Sequence, residues 1–345
     1  MPREIVSSTP PCCDASPCCE GTLAIDDTTY EMNPAWITAE IASGLAKVPV
    51  VSTRLTFQDI FSSWKARWGI GRMSYAIKPG LYAVGQPNAK SPVLVTANYK
   101  MSFDRVRCAL TGIDTWLLAL DTKGINVWCA AGKGTFGTDE LVERIEEHGL
   151  DQVVSHRQVI LPQLGAPGIA AHEVLRRSGF RVIYGPVRAS DIKVFLESNM
   201  KATQEMRTVN FTLLDRLVLI PVELSAAVIY LGLLIVVASA LKVLGAPVVW
   251  TRGLMASLGA LLSGIIIVPI LLPFIPGRAF VWKGWFTGVL YTLALILLLP
   301  IAGLWQQLAY IFLLPPIAGF AALNFTGAST RSEEHTSELQ SRHNL

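Results

Sequence analysis

Four long runs in the C-terminal half of the chain, 224–241, 253–275, 285–304 and 308–325, contain no Asp, Glu, Lys or Arg. Each reaches the roughly 18 residues that an α-helix needs to cross the hydrocarbon core of a bilayer. Four in succession are rare outside membranes, so residues 217–327 are expected to form an all-α transmembrane bundle. Trp250, Trp282, Trp285 and Trp305 fall near the ends of the runs, where aromatic belts form. Glu223, at the entrance of the first run, reads as an interfacial carboxylate. Up to about Asp215 the chain carries an ordinary mixture of charged and apolar residues, so the overall 51% hydrophobic and 16% charged composition averages two unlike halves. The expected organisation is a leader (1–30), a soluble domain (31–200), a linker (201–216) and the bundle.

Basic residues set the expected orientation. Lys201, Arg207 and Arg216 precede the first run, and Arg278 and Lys283 lie between the second and third. The other side has only Lys242 and Arg252, so the soluble domain is expected in the cytoplasm, beneath a multi-pass segment in the cytoplasmic membrane. Residues 1–20 lack the apolar stretch of a cleavable signal. The net charge of +3, with no Lys/Arg cluster, excludes a nucleic-acid partner. Residues 331–345 read as the translation of a sequencing adapter and are left out of the fold argument, the natural chain being expected to continue past Thr330.

Between residues 92 and 184 short apolar runs alternate with amphipathic ones. Residues 93–96, 115–120, 125–128, 153–154 and 181–184 read as strands, and 103–110, 138–148 and 169–178 as helices. In the second helix Leu141, Val142 and Ile145 share a face, Thr138 is placed to cap the start and Gly149 to end it. Strands alternating with helices imply an open α/β sheet of Rossmann type, which binds ligands beyond the carboxyl ends of its strands.

Cysteine usage points in two directions. Cys12, Cys13, Cys18 and Cys19 form two vicinal pairs in the Pro/Ser-rich leader, suited to a soft thiophilic ion or else incidental; the spacing is not that of a zinc site. Cys108 reads as a packed helix thiol. Cys129, at the expected end of a strand, is followed by the small residues Ala130, Ala131 and Gly132, which let backbone approach a flat ligand. Next to a helix N-terminus and Lys133 its thiolate would be favoured, which suits a nucleophile, a redox thiol or a metal ligand; a buried strand cysteine is the plainer alternative.

The run Gly132-Lys-Gly134-Thr-Phe-Gly137 matches the dinucleotide fingerprint G-x-G-x-x-G. The acidic residue due about 20 positions later is absent, with His156 and Arg157 in its place. A Walker A loop fails as well, because Val127 stands where its first glycine should be.

The segment Asn126-Val-Trp-Cys-Ala-Ala-Gly-Lys133 resembles the cap-helix signature of the mercury-methylating corrinoid protein family (HgcA). Leu120-Asp-Thr-Lys-Gly-Ile125, Gly134-Thr-Phe-Gly-Thr138, Val154-Ser-His-Arg157 and Ile160-Leu-Pro-Gln-Leu-Gly-Ala-Pro167 resemble the broader corrinoid iron–sulfur protein family. The resemblance runs from about Lys47 to Phe325 and includes the appended membrane helices, although that family usually has a fifth where this chain has four.

The resemblance implies a corrinoid cofactor with the Cys129 thiolate as its lower axial cobalt ligand. It implies methyl transfer to Hg(II), forming methylmercury. Mercury(II) is an electrophile and needs a methyl group delivered with its bonding electrons or as a radical, which a thiolate pushing electron density onto cobalt would ease. None of the five histidines lies in the Asp-x-His-x-x-Gly segment that supplies the usual rival ligand, and His156 and His172 read as helix- or loop-end residues. The cofactor is expected to rest on Asn126, Val127, Trp128, Cys129, Ala130 and Ala131, and on the following Gly132, Lys133, Gly134 and Gly137. Thr135 and Thr138 would hydrogen-bond its amides, and Gln163, Leu164, Gly165 and Ala166 would border it. The implied partners are a ferredoxin-like iron–sulfur electron donor (HgcB), a methyl-tetrahydrofolate-type donor and the membrane. Two other functions stay open: a corrinoid methyl carrier of one-carbon (acetyl-CoA pathway) metabolism, and a membrane transporter or metal-handling protein with a regulatory α/β domain.

Overall fold

The computed structural model describes residues 34–43, 46–245, 250–277, 279–299 and 303–325. The leader cysteines Cys12, Cys13, Cys18 and Cys19, Arg278 and residues 331–345 lie outside them. The chain divides between Val222 and Glu223 into two compact units.

The first unit runs β1 (Ile37–Ser43), β2 (Ala46–Val51), α1 (Phe57–Arg67), β3 (Gly80–Val84), β4 (Val93–Ala97), α2 (Lys100–Ala109) and β5 (Thr115–Leu120). It continues with α3 (Val127–Lys133), α4 (Thr138–Glu147), α5 (Leu150–Val153), β6 (Gln158–Leu161), a 3-10 turn (Gln163–Gly168), α6 (Ala171–Ser178) and β7 (Arg181–Tyr184). Three short helices close it: α7 (Ile192–Glu197), α8 (Gln204–Arg207) and α9 (Leu213–Leu217). The strands form one sheet in the order β1-β2-β3-β5-β4-β6-β7. The β5-β4-β6-β7 half is parallel and Rossmann-like. β3 pairs antiparallel with β5 and β2 runs parallel to β3, so these two strands point the other way, while β1, antiparallel to β2, turns back again.

Both faces of the sheet are covered, which is why its central strands are apolar but for the buried Thr96 and Thr115. On β5, Trp116, Leu118 and Leu120 enter the core beneath α3, α4 and α6, with Val127, Ala130, Leu141, Ile145 and Val174. Leu117 and Ala119 enter the opposite core with Phe103 of α2, Phe195 of α7 and Met206 of α8. The alternation follows from the two-residue period of a strand.

A buried charge network joins α1 to α2. Lys100 Nζ donates to Asp59 at 2.8 Å and to Asp104 at 2.6 Å. Arg107 donates to Asp59 at 2.9 Å, to Asp104 at 2.7 Å and to the carbonyls of Ser52 and Arg54. Burial alone would raise the Asp59 carboxyl, but the hydrogen bonds from Lys100 and the Thr56 N–H, with the charges of Lys100 and Arg107, outweigh it and hold the pKa at about 2.

Two expected strands are absent. Residues 125–128 are a loop, an N-cap and the first turn of α3, and 153–154 close α5; the strand that follows is β6. Short apolar runs such as Val-Trp do not distinguish a strand from a buried helical turn. The G-x-G-x-x-G run consequently joins two helices, with Gly132 inside α3, not a strand to a helix. The N-cap of α4 is Gly137, and Thr138 is its first helical residue.

The second unit comprises α10 (Ile220–Val243, which begins just before the boundary), α11 (Trp250–Leu262), a π-helical turn (Ser263–Ile267), α12 (Val268–Leu271), α13 (Phe280–Leu298) and α14 (Leu304–Asn324). Four helical segments are long and apolar enough to cross a membrane: Leu213–Val237, Gly253–Leu271, Phe280–Leu298 and Leu304–Asn324. Glycines let backbones meet: a Cβ on Gly284 would stand 2.5 Å from Ala318 O, and one on Gly288 2.7 Å from Pro315 Cα. The third helix begins earlier than its charge-free run and takes in Lys283, which the sequence placed in a loop. Lys283 is buried, with its Nζ donating to the carbonyls of Leu272 at 2.6 Å and Ile275 at 2.8 Å, where the preceding helix ends.

Candidate functional site

From β4 the chain passes through α2 to β5 on one side, then through α3, α4 and α5 to β6 on the other side of β4. The carboxyl end of β4 is therefore a topological switch point, where open α/β sheets bind ligands. The two segments singled out from sequence follow the flanking strands, α3 after β5 and the 3-10 turn after β6. The fold brings them together.

Asn98, fully buried one residue past β4, organises the approach to α3. Its Oδ1 accepts hydrogen bonds from the Thr122 N–H (3.1 Å), the Thr122 hydroxyl (2.8 Å) and the Gly124 N–H (3.1 Å), and its Nδ2 donates to Asp121 at 3.2 Å. The loop between β5 and α3 is thus shaped around one amide side chain.

Helix α3 starts where Asn126, in extended conformation, caps it: Asn126 Oδ1 accepts the backbone N–H of Cys129 at 3.0 Å. Val127, Ala130 and Ala131 turn into the core, whereas Trp128 and Cys129 are half-buried and Gly132, Lys133 and Gly134 are exposed. Gly134 ends the helix at φ +80, and a Cβ there would meet nothing within 4 Å. The chain then folds back, with the Phe136 N–H donating to Ala130 O at 3.1 Å and the Phe136 ring fully buried.

Two glycines of the 3-10 turn permit its approach to α3. A Cβ on Gly165 would lie 2.5 Å from the Phe136 ring, and one on Gly168 would lie 2.1 Å from Phe136 O and 3.1 Å from Ala131 Cα. The Thr138 hydroxyl accepts the Ala170 N–H at 2.9 Å, and the Thr135 hydroxyl donates to Ala130 O at 3.4 Å. Both hydroxyls, expected to face a ligand, thereby have partners within the protein. Gln163 Oε1 accepts from Arg207 of α8 at 3.3 Å, while Gln163, Leu164 and Ala166 are half-buried beside Gly165.

Asn98, Phe136 and Gly168 were not read from sequence as site residues. Asn98 carries no motif, and its role appears only once β4 and β5 are adjacent. Of the histidines, His156 lies between a contact to Ser91 O at 2.9 Å and the Gln158 N–H at 3.1 Å, and His172 is exposed. Cys108 is half-buried on α2, where burial raises its thiol pKa.

Among the described residues no group of three or more His, Cys, Asp or Glu side chains is placed to hold a metal ion. What α3 offers is one soft donor beside three small residues. That set does not fit zinc, which draws about four ligands from the protein. It fits a metal arriving with its other ligands already in place, as cobalt does in a corrin ring.

Taken together, the fold and site define an α/β unit with a capped cysteine helix at its switch point, joined to a unit of apolar helices. The CO dehydrogenase/acetyl-CoA synthase delta subunit family matches residues 71–196, a stretch that contains both α3 and the 3-10 turn. Among curated proteins, the acetyl-CoA decarbonylase/synthase complex subunit gamma of Archaeoglobus fulgidus is 35% identical over 130 residues, 37% of this chain and 27% of that protein. The corresponding subunits of Methanopyrus kandleri and Methanocaldococcus jannaschii are 35% identical over 123 residues (35% of this chain, 26% of that protein) and 32% identical over 144 (41% and 29%). The chain thus spans little more than a quarter of the length of these relatives. The similarity supports a corrinoid protein and its corrinoid cofactor; it does not single out the mercury-methylating branch.

Proposed function

We propose that the chain is a membrane-tethered corrinoid protein that transfers a methyl group, with the Cys129 thiolate as the lower ligand of cobalt and Hg(II) as the acceptor. When bound, a corrinoid would supply a metal ion able to accept and release the methyl group. The protein's part is to hold and tune it. Cys129 would give its proton up on coordination, because a metal-bound thiol is deprotonated. Asn126 fixes the first turn of α3, and hence the backbone that carries Cys129, through its bond to the Cys129 N–H. Ala130 and Ala131 anchor the same helix in the core beside Phe136, and Gly132 leaves its outer surface without bulk. A methyl-tetrahydrofolate-type donor and a ferredoxin-like reductant complete the proposal, as does placement of the α/β unit on the cytoplasmic side.

The observation that carries the reading is the capped, half-buried Cys129 at the switch point, in a set of described residues that forms no group of three or more His, Cys, Asp or Glu able to hold a metal ion by itself. A thiolate favours release of an electron-rich methyl group, which an electrophile such as Hg(II) requires. The comparisons favour a second reading, a methyl carrier of one-carbon metabolism, since the relatives are named as subunits of acetyl-CoA decarbonylase/synthase complexes. Single-turnover transfer from the methyl-loaded, anaerobically purified chain separates the two. Methylmercury formed faster than the methyl group passes to a thiol acceptor supports Hg(II). Transfer to the thiol, with Hg(II) left unmethylated, supports the carrier.

A further inference from the structure

Helix α1 carries an aromatic face that nothing in its own unit covers. Its underside is fixed by the Thr56–Asp59 capping box and by the Asp59 network on α2. On the outside, Phe57, Ile60, Phe61 and Trp64 recur at the spacing of a single helical face, with Phe57 82%, Ile60 54% and Trp64 53% exposed. Phe57 stacks on Phe61 and Phe61 on Trp64, with centroids 6.3 and 6.1 Å apart. Leu55 before the helix and Ile70 and Met73 after it extend the apolar surface. Between residues 52 and 75 the charged side chains are Arg54, Lys65, Arg67, Arg72 and Asp59, and the one acid is buried and paired. The face is therefore aromatic and, at its margins, uniformly basic.

We infer that α1 docks the α/β unit on the anionic headgroup surface of the bilayer. Aromatic side chains flanked by Lys and Arg on a half-embedded helix are the composition of an interfacial anchor. The bilayer is also the surface nearest to hand. Arg188 binds Asp215 at 2.9 Å and Asn210 O at 2.8 Å, which ties the start of the first candidate span to the α/β unit. From Asp215 to Glu223 a helix covers only about 12 Å. This inference rests on the four apolar helices lying in a bilayer and is independent of what the site transfers.

The test uses the full chain in phosphatidylcholine vesicles, with and without phosphatidylglycerol, containing a phospholipid that carries a photoreactive diazirine near its headgroup. Adducts are mapped by mass spectrometry. Residues 55–73 should be labelled in anionic vesicles, at least threefold less in neutral ones, and at least threefold less in Phe57→Ser/Trp64→Ser and in Lys65→Glu/Arg72→Glu. Labelling of the four spans should be the same throughout. Labelled spans with residues 55–73 clean would overturn the inference and leave the membrane reading intact, and unlabelled spans would overturn both.

Discussion

The side chain of Asn126 accepts the backbone N–H of Cys129 at 3.0 Å, so the residue that starts α3 also fixes the backbone of the cysteine proposed to hold cobalt. Replacing Asn126 by Ala should cost about 1 kcal/mol of local stability, the usual worth of an N-cap. Asn126→Asp or Asn126→Ser should restore most of it. Amide hydrogen exchange of residues 127–133 checks this: faster exchange in Ala, and near wild-type protection in Asp and Ser, are expected.

Asn98 should prove more sensitive than any residue of the motif itself except Cys129. Asn98→Ala leaves the N–H groups of Thr122 and Gly124 without their acceptor in a buried loop, while the Thr122 hydroxyl keeps the Ile125 carbonyl at 2.6 Å. The expected loss is about 3 kcal/mol, to be measured as exchange protection of residues 121–133 and as reduced corrinoid retention.

Two glycine substitutions should separate packing from backbone conformation. Gly165→Ala forces a Cβ into the Phe136 ring and should push the 3-10 turn off α3, lowering both stability and cofactor retention. Gly134→Ala meets no neighbour but must adopt φ +80, which costs about 1–2 kcal/mol with the surrounding packing intact. Retention of corrinoid at the wild-type level in Gly165→Ala would show that the turn is not part of the site.

The half of the sheet that carries the site was readable in outline. β4, β5 and β7 and helices α2, α4 and α6 fall where apolar periodicity put them, and the four apolar helices overlap their charge-free runs. α3 was misread because Val127-Trp128 resembles a strand to a periodicity rule, although Asn126 is a strong N-cap and could have signalled the helix. β1, β2, β3 and α1 went unread. Their place depends on the antiparallel β3–β5 pairing and on the Asp59–Lys100–Arg107 network, both long-range in sequence. Lys283 misled for the same reason, since nothing local says that a carbonyl cluster awaits it inside the helix.

Acid should loosen the α1–α2 junction first. Asp59 has a folded pKa of about 2, below its ordinary 3.8, so the unfolded chain takes up the proton first as pH falls. The stabilisation is complete above about pH 4 and is lost between there and about pH 2, roughly 2 kcal/mol in all. Exchange protection of α1 should fall across this window in the wild type, and much less steeply in Asp59→Asn, which starts lower. Equal slopes would mean that another group carries the acid response.

The central claim concerns Cys129, and its most direct measurement is the absorption spectrum of corrinoid bound to the anaerobically purified full chain, compared between wild type, Cys129→Ala and Cys129→His. The account predicts a sulfur-liganded spectrum in the wild type, its replacement by a spectrum without a protein lower ligand in Cys129→Ala, and a nitrogen-liganded one in Cys129→His. Identical spectra for wild type and Cys129→Ala, or no bound corrinoid in the wild type, would contradict it.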